Sequence, residues 1–241
     1  MTHTHHVYAI KPCLLIAAAL GVLLTTPATA EVPFPFTINL GEVVPADTFA
    51  MDVTVLGCAI GYGSHGGYDA KVTLQINVEQ PDGTVRDLEL FGPFNAPVDG
   101  NINTGSPIRR LVLAMWDSAS RVSLTARSWK WDGSGDTNND WDNIGRTQNS
   151  RNNPLVRVMR DGDTTPGLAG FADQASAEVY MAPYIDEVTG TMKLGTNQAI
   201  YLFELGVTSE NSSGFDLQDA VVLVTLGDSP VALDATASAH D

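Results

Sequence analysis

Asp69-Ala70-Lys71-Val72-Thr73-Leu74-Gln75-Ile76-Asn77-Val78-Glu79-Gln80, running into Pro81-Asp82-Gly83, decides the fold class of this chain. Val72, Leu74, Ile76 and Val78 alternate with Lys71, Thr73, Gln75, Asn77 and Glu79. Successive side chains on a strand point to opposite faces, so this period of two predicts a strand with one wet and one buried side. The proline pre-sets φ and the glycine tolerates left-handed backbone, so a tight turn follows, with Thr84 to Leu90 as the return strand of a β-hairpin.

Outward from the hairpin, further strands are expected at Phe49 to Ile60, Ile108 to Trp116, Arg121 to Trp131, Leu155 to Arg160, Ala177 to Ile185, Ala199 to Val207 and Leu217 to Leu226. The stretches Ile200 to Leu205 and Ala220 to Leu226 are almost continuously apolar, as strands covered on both faces are, and are expected at the centre of a sheet. No apolar stripe of period 3.6 exceeds two turns. Many short strands punctuated by Gly and Pro predict an all-β fold, a single β-sandwich of jelly-roll-like or immunoglobulin-like type. The Asp/Asn/Gly-rich segment 132–153 reads as one long loop inside a single domain, 31–241, and the polar tail from Gly227 is expected to lie in solvent.

Lys11, the apolar run Leu14 to Leu24 and the small residues Ala28-Thr29-Ala30 read as a signal peptide, 1–30, cleaved before Glu31. The apolar run is 11 residues long, whereas a membrane-spanning helix needs about 20, so no membrane anchor is expected. Cys13 precedes the apolar run, which argues against a lipid anchor. The expected destination is the periplasm or the extracellular medium. Without residues 1–30 the chain carries 12 basic and 28 acidic side chains, a net charge of −16. That charge disfavours nucleic acid as a partner. Residues 161–241 hold 13 carboxylates and a single basic residue, Lys193, while Arg109, Arg110, Arg121, Arg127 and Lys130 crowd the middle of the chain. One cysteine remains, Cys58, in an apolar stretch that reads as a buried, inert thiol; stability must come from core packing rather than an internal disulfide.

Four places hold chemistry-bearing residues. In 132–142, Asp132, Asp136, Asn138, Asp140 and Asp142 place oxygen donors at alternate positions, and calcium takes six to eight oxygens at about 2.3–2.6 Å. The EF-hand spacing is broken from either starting Asp, so calcium here would be held by an irregular loop. In the strand Arg121 to Trp131, Val122, Leu124 and Ala126 form the inward set, which leaves Arg127, Trp129 and Trp131 on a face expected to be wet. Trp141 joins them from the loop, and aromatic faces beside Asp and Asn are a way to hold sugars, with Arg127 stacking on an indole. Glu204 interrupts the most apolar strand, so it must be paired, metal-bound, shifted in pKa or at a sheet edge; with Asp216 and Asp219 it is the candidate carboxylate for glycoside hydrolysis. Finally, Gly61-Tyr62-Gly63-Ser64-His65-Gly66-Gly67 lacks the spacing of a nucleophile elbow and reads as a glycine turn.

Ala199-Ile200-Tyr201-Leu202-Phe203-Glu204-Leu205-Gly206 and Phe215-Asp216-Leu217-Gln218-Asp219-Ala220-Val221-Val222 resemble exported bacterial β-domains of unknown function, in which Asp-x-x-Asp or Asp-x-Asn-Asp precedes an apolar strand. Asp216 and Asp219 match that element, and Gln218 departs from the Asn variant. The resemblance implies export and a binding role at a surface or in a matrix. The leading expectation is thus a non-catalytic exported protein binding an extracellular glycan or surface component, assisted by calcium. An exported hydrolase, namely a glycosidase using Glu204, is the second expectation, and a structural part of a cell-surface assembly the third.

Overall fold

The computed structural model describes residues 36–39, 41–62, 68–95, 100–104, 106–131, 137–146, 154–231 and 233; of 62, 68–69, 130–131 and 137–143 it describes the backbone alone. All of these fall in one compact unit, Pro33–Asp241. The strands are β1 (Phe36–Asn39), β2 (Glu42–Pro45), β3 (Phe49–Gly57), β4 (Gly61–Tyr62), β5 (Tyr68–Asp69), β6 (Val72–Glu79), β7 (Val85–Leu88), β8 (Ile108–Trp116), β9 (Arg121–Trp131), β10 (Thr137–Arg146), β11 (Val156–Met159), β12 (Gln198–Phe203) and β13 (Ala220–Gly227). A short helix, α1 (Ala177–Met181), leads into a 3₁₀ turn, Ala182–Tyr184.

Two antiparallel sheets form an all-β sandwich. The first runs β1-β2-β9-β6-β7, with β10 added on β9; the second runs β11-β12-β13-β3-β8; β4 and β5 make a separate ribbon. The β6–β7 hairpin turns at Pro81–Gly83 as expected. Asp82 Oδ1 accepts from the Thr84 N–H at 2.8 Å, and Gly83 sits at φ +84°, where a Cβ is disfavoured. The main core joins Val72, Leu74, Ile76, Val78, Val122, Leu124 and Ala126 of the first sheet to Met51, Val53, Val55, Tyr201, Phe203, Val222 and Val224 of the second.

The apolar runs of β12 and β13 are now explained by coverage. Tyr201 and Phe203 face the main core, while Ile200 and Leu202 join Val221, Leu223, Met159, Ala177, Met181, Met192 and Leu194 in a second core on the outer face of the same sheet. Both strands lie inside the sheet, as expected. The covering layer comes from the segment between β11 and β12. There the expected strand Ala177 to Ile185 is replaced by α1, because Ala177 and Met181 are buried four residues apart and Val179 between them is exposed. That spacing matches one helical turn and not a pleat. Tyr180 lies directly on Gly57 of β3, where a Cβ would come within 2.0 Å of its ring.

Two further expectations are corrected. The segment 132–153 is not one loop: it contains β10, which pairs with β9 through irregular register. Gly145 lets this strand approach the core, since a Cβ there would meet the Phe203 ring at 2.8 Å. The tail also does not leave for solvent at Gly227. Leu233 is buried against Gly227, and its carbonyl accepts from Arg109 Nη2 at 3.4 Å. Among the described residues, no helix is long and apolar enough to cross a membrane.

A candidate site of buried carboxyls

Glu204 follows β12 and Asp219 precedes β13. Pairing of Phe203 with Ala220 at the adjoining ends of these strands therefore brings the two carboxyl-bearing backbones side by side. The loop between them folds back over the sheet end, carrying Asp216 and Gln218 with it. Exposure is 0% for Glu204 and Gln218, 2% for Asp216 and 3% for Asp219, so every polar atom here needs a partner inside the protein.

Backbone N–H groups supply most of them. Glu204 Oε1 accepts from Gly206 and Val207, both at 3.0 Å, and Oε2 accepts from Asp216 at 3.0 Å and Leu217 at 3.3 Å. Asp219 Oδ2 accepts from Leu205 at 2.5 Å and Gly206 at 2.6 Å. Asp216 Oδ2 accepts from the Phe171 N–H at 2.8 Å and from Gln218 Nε2 at 3.0 Å, and Gln218 Nε2 also donates to Gln174 Oε1 at 2.9 Å. Cys58 donates its thiol to the Asp219 carbonyl at 2.6 Å, Ser128 donates to the Leu205 carbonyl at 3.0 Å, and the Glu204 N–H donates to the Leu155 carbonyl at 2.8 Å. One node thus ties together β3, β9, β12, β13 and the segment before α1.

The electrostatics follow from this crowding. Asp219 is pushed well above the usual carboxylate range by burial, then by the negative charge of Glu204 and a hydrogen bond shared with it. Burial and the Glu204 neighbour thus both favour the protonated form of Asp219. Asp216 is also raised, chiefly by burial, against the lowering effect of the Phe171 and Gln218 donors. Leu217 is held at φ +59°, a strained position for a branched side chain, and its N–H is one of the Glu204 donors. Gly206 packs closely on the pair: a Cβ there would sit 3.3 Å from Glu204 Oε1 and 3.4 Å from Asp219 Oδ2.

Glu204, the carboxyl considered for glycoside hydrolysis, is thus buried, with both oxygens accepting from backbone N–H groups. Among the described residues, no group of three or more His, Cys, Asp or Glu is placed to hold a metal ion.

The expected aromatic face is rearranged as well. Val122, Leu124 and Ala126 do point inward, but Trp129 on the other side of β9 is 2% exposed, so that position is covered rather than wet. Its indole N–H donates to Thr73 Oγ1 at 3.0 Å, and Thr73 Oγ1 donates to the Phe94 carbonyl at 3.1 Å, so the segment carrying Phe94 forms the cover. Arg127 stacks on Phe94, 4.0 Å from the ring centroid, and its Nη1 donates to Asn95 Oδ1 at 2.7 Å. The backbone of Trp141 lies opposite Trp129 and that of Thr137 opposite Trp131, so strand pairing gathers the tryptophan positions. The side chains of Trp131 and Trp141 lie outside the described residues, as do those of Asn138, Asp140 and Asp142 on β10; Asp132 and Asp136 lie outside them entirely. The glycine-rich residues 63–67 lie outside them too.

Reasoning from sequence singled out Glu204, Asp216 and Asp219 but missed the parts played by Gln218, Gln174, Ser128 and the Phe171 N–H. Only the polar character of Gln218 between two acids, ahead of an apolar strand, hinted at a role. No protein-family model matches the chain, and neither the curated proteins nor the solved structures include a match to it.

Proposed function

We propose that the chain, once exported and cleaved after residue 30, acts in the periplasm or the medium as a non-catalytic β-sandwich that binds or builds surface or matrix material. The observation that carries this reading is the state of Glu204. The carboxylate best placed by sequence for catalysis is sealed from solvent and has both oxygens filled by backbone N–H groups. Such a group organises the backbone and has no free lone pair facing a substrate.

A panel of chromogenic glycosides and esters is expected to show no turnover by the full chain, and Glu204→Gln is expected to lower the urea midpoint. Turnover that vanishes in a folded Glu204→Gln variant overturns the reading. N-terminal sequencing of the protein recovered from an exporting host is expected to begin at Glu31.

A narrower version of the same reading takes the partner as a glycan, met by Trp131 and Trp141, with calcium ordering the 132–142 stretch. It is favoured by the β9–β10 pairing, which draws the tryptophan-bearing backbones together. A thermal melt with millimolar calcium, repeated in excess EDTA, tests the metal, because a ligand that binds only the folded state raises its stability. An upward shift lost in Asp140→Ala supports it; identical melts remove calcium from the reading.

A further inference from the structure

We infer that Arg127 and Arg146 form an anion-binding site on the outer face of the first sheet, and that its ligand is an oxyanion carried on an acidic glycan, as a carboxylate or a sulfate ester. The inference rests on the reading of the protein as a binder of surface or matrix material, and it gives that material a charge.

Strand pairing places the two arginines together. Thr125 and Arg127, two apart on β9, share a face; Arg146 of β10 pairs with Thr125, and Ile144 pairs with Arg127. Arg146 is therefore the diagonal neighbour of Arg127, at a spacing of about 7–8 Å that long side chains bridge. The face is the outer one, because a Cβ on Gly145, between Ile144 and Arg146, would meet the core residue Phe203. Burial, then the charge of Arg146, lower the Arg127 pKa, so the two guanidiniums act on each other.

Neither arginine has a carboxylate partner among the described residues, whereas Arg121, earlier on β9, has Glu42 and Glu79. Glu89, the carboxylate of the covering segment, accepts instead from the Phe94 N–H at 3.4 Å. With 28 acidic side chains against 13 basic ones, the chain has carboxylates to spare for structural arginines. Two like charges set side by side without one hold a local positive potential that an outside anion relieves.

Arg127 is also preorganised. Its guanidinium lies 4.0 Å from the Phe94 ring centroid, and Nη1 donates to Asn95 Oδ1. Phe94 is fixed in turn by Thr73, whose hydroxyl donates to the Phe94 carbonyl and accepts from the Trp129 indole. This holding uses one of the five N–H donors of the guanidinium, and Nε finds no acceptor among the described residues. A planar fork held this way matches a carboxylate or sulfate, and Arg146, which is exposed, adds the second charge. Gln75 pairs with Thr125 from the other side and offers an amide to sugar hydroxyls on the same face. The acidic chain repels polyanions at long range, so their attraction has to come from such a local contact.

Affinity electrophoresis of the full chain through gels containing polygalacturonate, dextran sulfate or neutral dextran tests the site. Retardation by an acidic polymer is expected, and which of the two retards the chain tells carboxylate from sulfate ester. Arg146→Glu, at an exposed position, is expected to raise the dissociation constant roughly tenfold with an unchanged circular dichroism spectrum. Arg127→Lys, which keeps the charge and loses the fork, is expected to weaken binding as well. Retardation by neither acidic polymer overturns the inference, and so does retardation that Arg146→Glu leaves intact. If neutral dextran alone retards the chain, the anion site falls while the broader binding reading stands.

Discussion

At the scale of single residues, Asp219 is the position where protonation and folding meet. Its folded-state pKa lies well above that of an unfolded aspartate, so the folded chain holds the proton more tightly than the unfolded chain does. The stabilisation from that proton is complete below the ordinary carboxylate range and drains away as pH rises through the elevated pKa, when a second negative charge enters a sealed site. Asp216, raised in the same direction, adds to the trend. Thermal melts from mildly acidic to mildly alkaline pH are therefore expected to show a falling midpoint. Asp219→Asn should flatten that slope while keeping stability at acidic pH, because its amide oxygen can accept from Leu205 and Gly206 while its NH₂ group donates to Glu204. A midpoint as pH-dependent in Asp219→Asn as in the parent contradicts the assignment. Asp219→Ala, which strands two buried N–H groups, is expected to cost about 3 kcal/mol by urea titration. Glu204 announced itself in the sequence because a carboxylate inside an apolar strand demands a partner. Its partners did not, since two of the site's ties, Cys58 to Asp219 and Phe171 to Asp216, span 161 and 45 residues.

At the scale of elements, local pattern and local structure agree where one face is wet and part where it is covered. β8 and β9 have the bounds their sequences suggest, and β6 keeps its inward set. The failures have a common cause. Ala177, Val179 and Met181 satisfy an alternation over five residues, but what the fold uses is the four-residue spacing of Ala177 and Met181 against the sheet. The polar run in 137–146 lacks an apolar face, and it becomes a strand because β9 offers an edge to pair with. The contact between α1 and β3 can be tested directly. Gly57→Ala, whose methyl would overlap the Tyr180 ring, is expected to destabilise by about 2 kcal/mol in chemical denaturation. On β12, the Tyr201 hydroxyl is buried and finds no hydrogen-bond partner among the described residues. Tyr201→Phe is therefore expected to leave stability unchanged or raise it by up to about 1 kcal/mol in the same assay, and a loss larger than that would reveal a partner.

At the scale of the whole molecule, the charge of the sequence sets a global term. The chain holds 28 acidic side chains against 13 basic ones, and residues 161–241 carry 13 carboxylates with the single basic Lys193. The compact state repels itself more than the expanded chain does, and salt screens that repulsion. Raising sodium chloride from low to near-molar concentration is expected to raise the melting temperature; a fall would mean that attractive pairs such as Arg121 with Glu79 and Arg109 with Asp52 dominate. The sequence by itself determined the acidic charge, the all-β class, the Pro81–Gly83 turn and the internal places of β12 and β13, because alternation, turn chemistry and composition are properties of neighbours along the chain. Only the tertiary structure decided that Trp129 is covered, that Arg127 stacks on Phe94, that Leu233 packs back on Gly227 and that Glu204 is buried beside Asp219. Each of those outcomes depends on which distant segment arrives at a given face, and burial, not local pattern, then sets whether a polar group binds its own backbone or something outside.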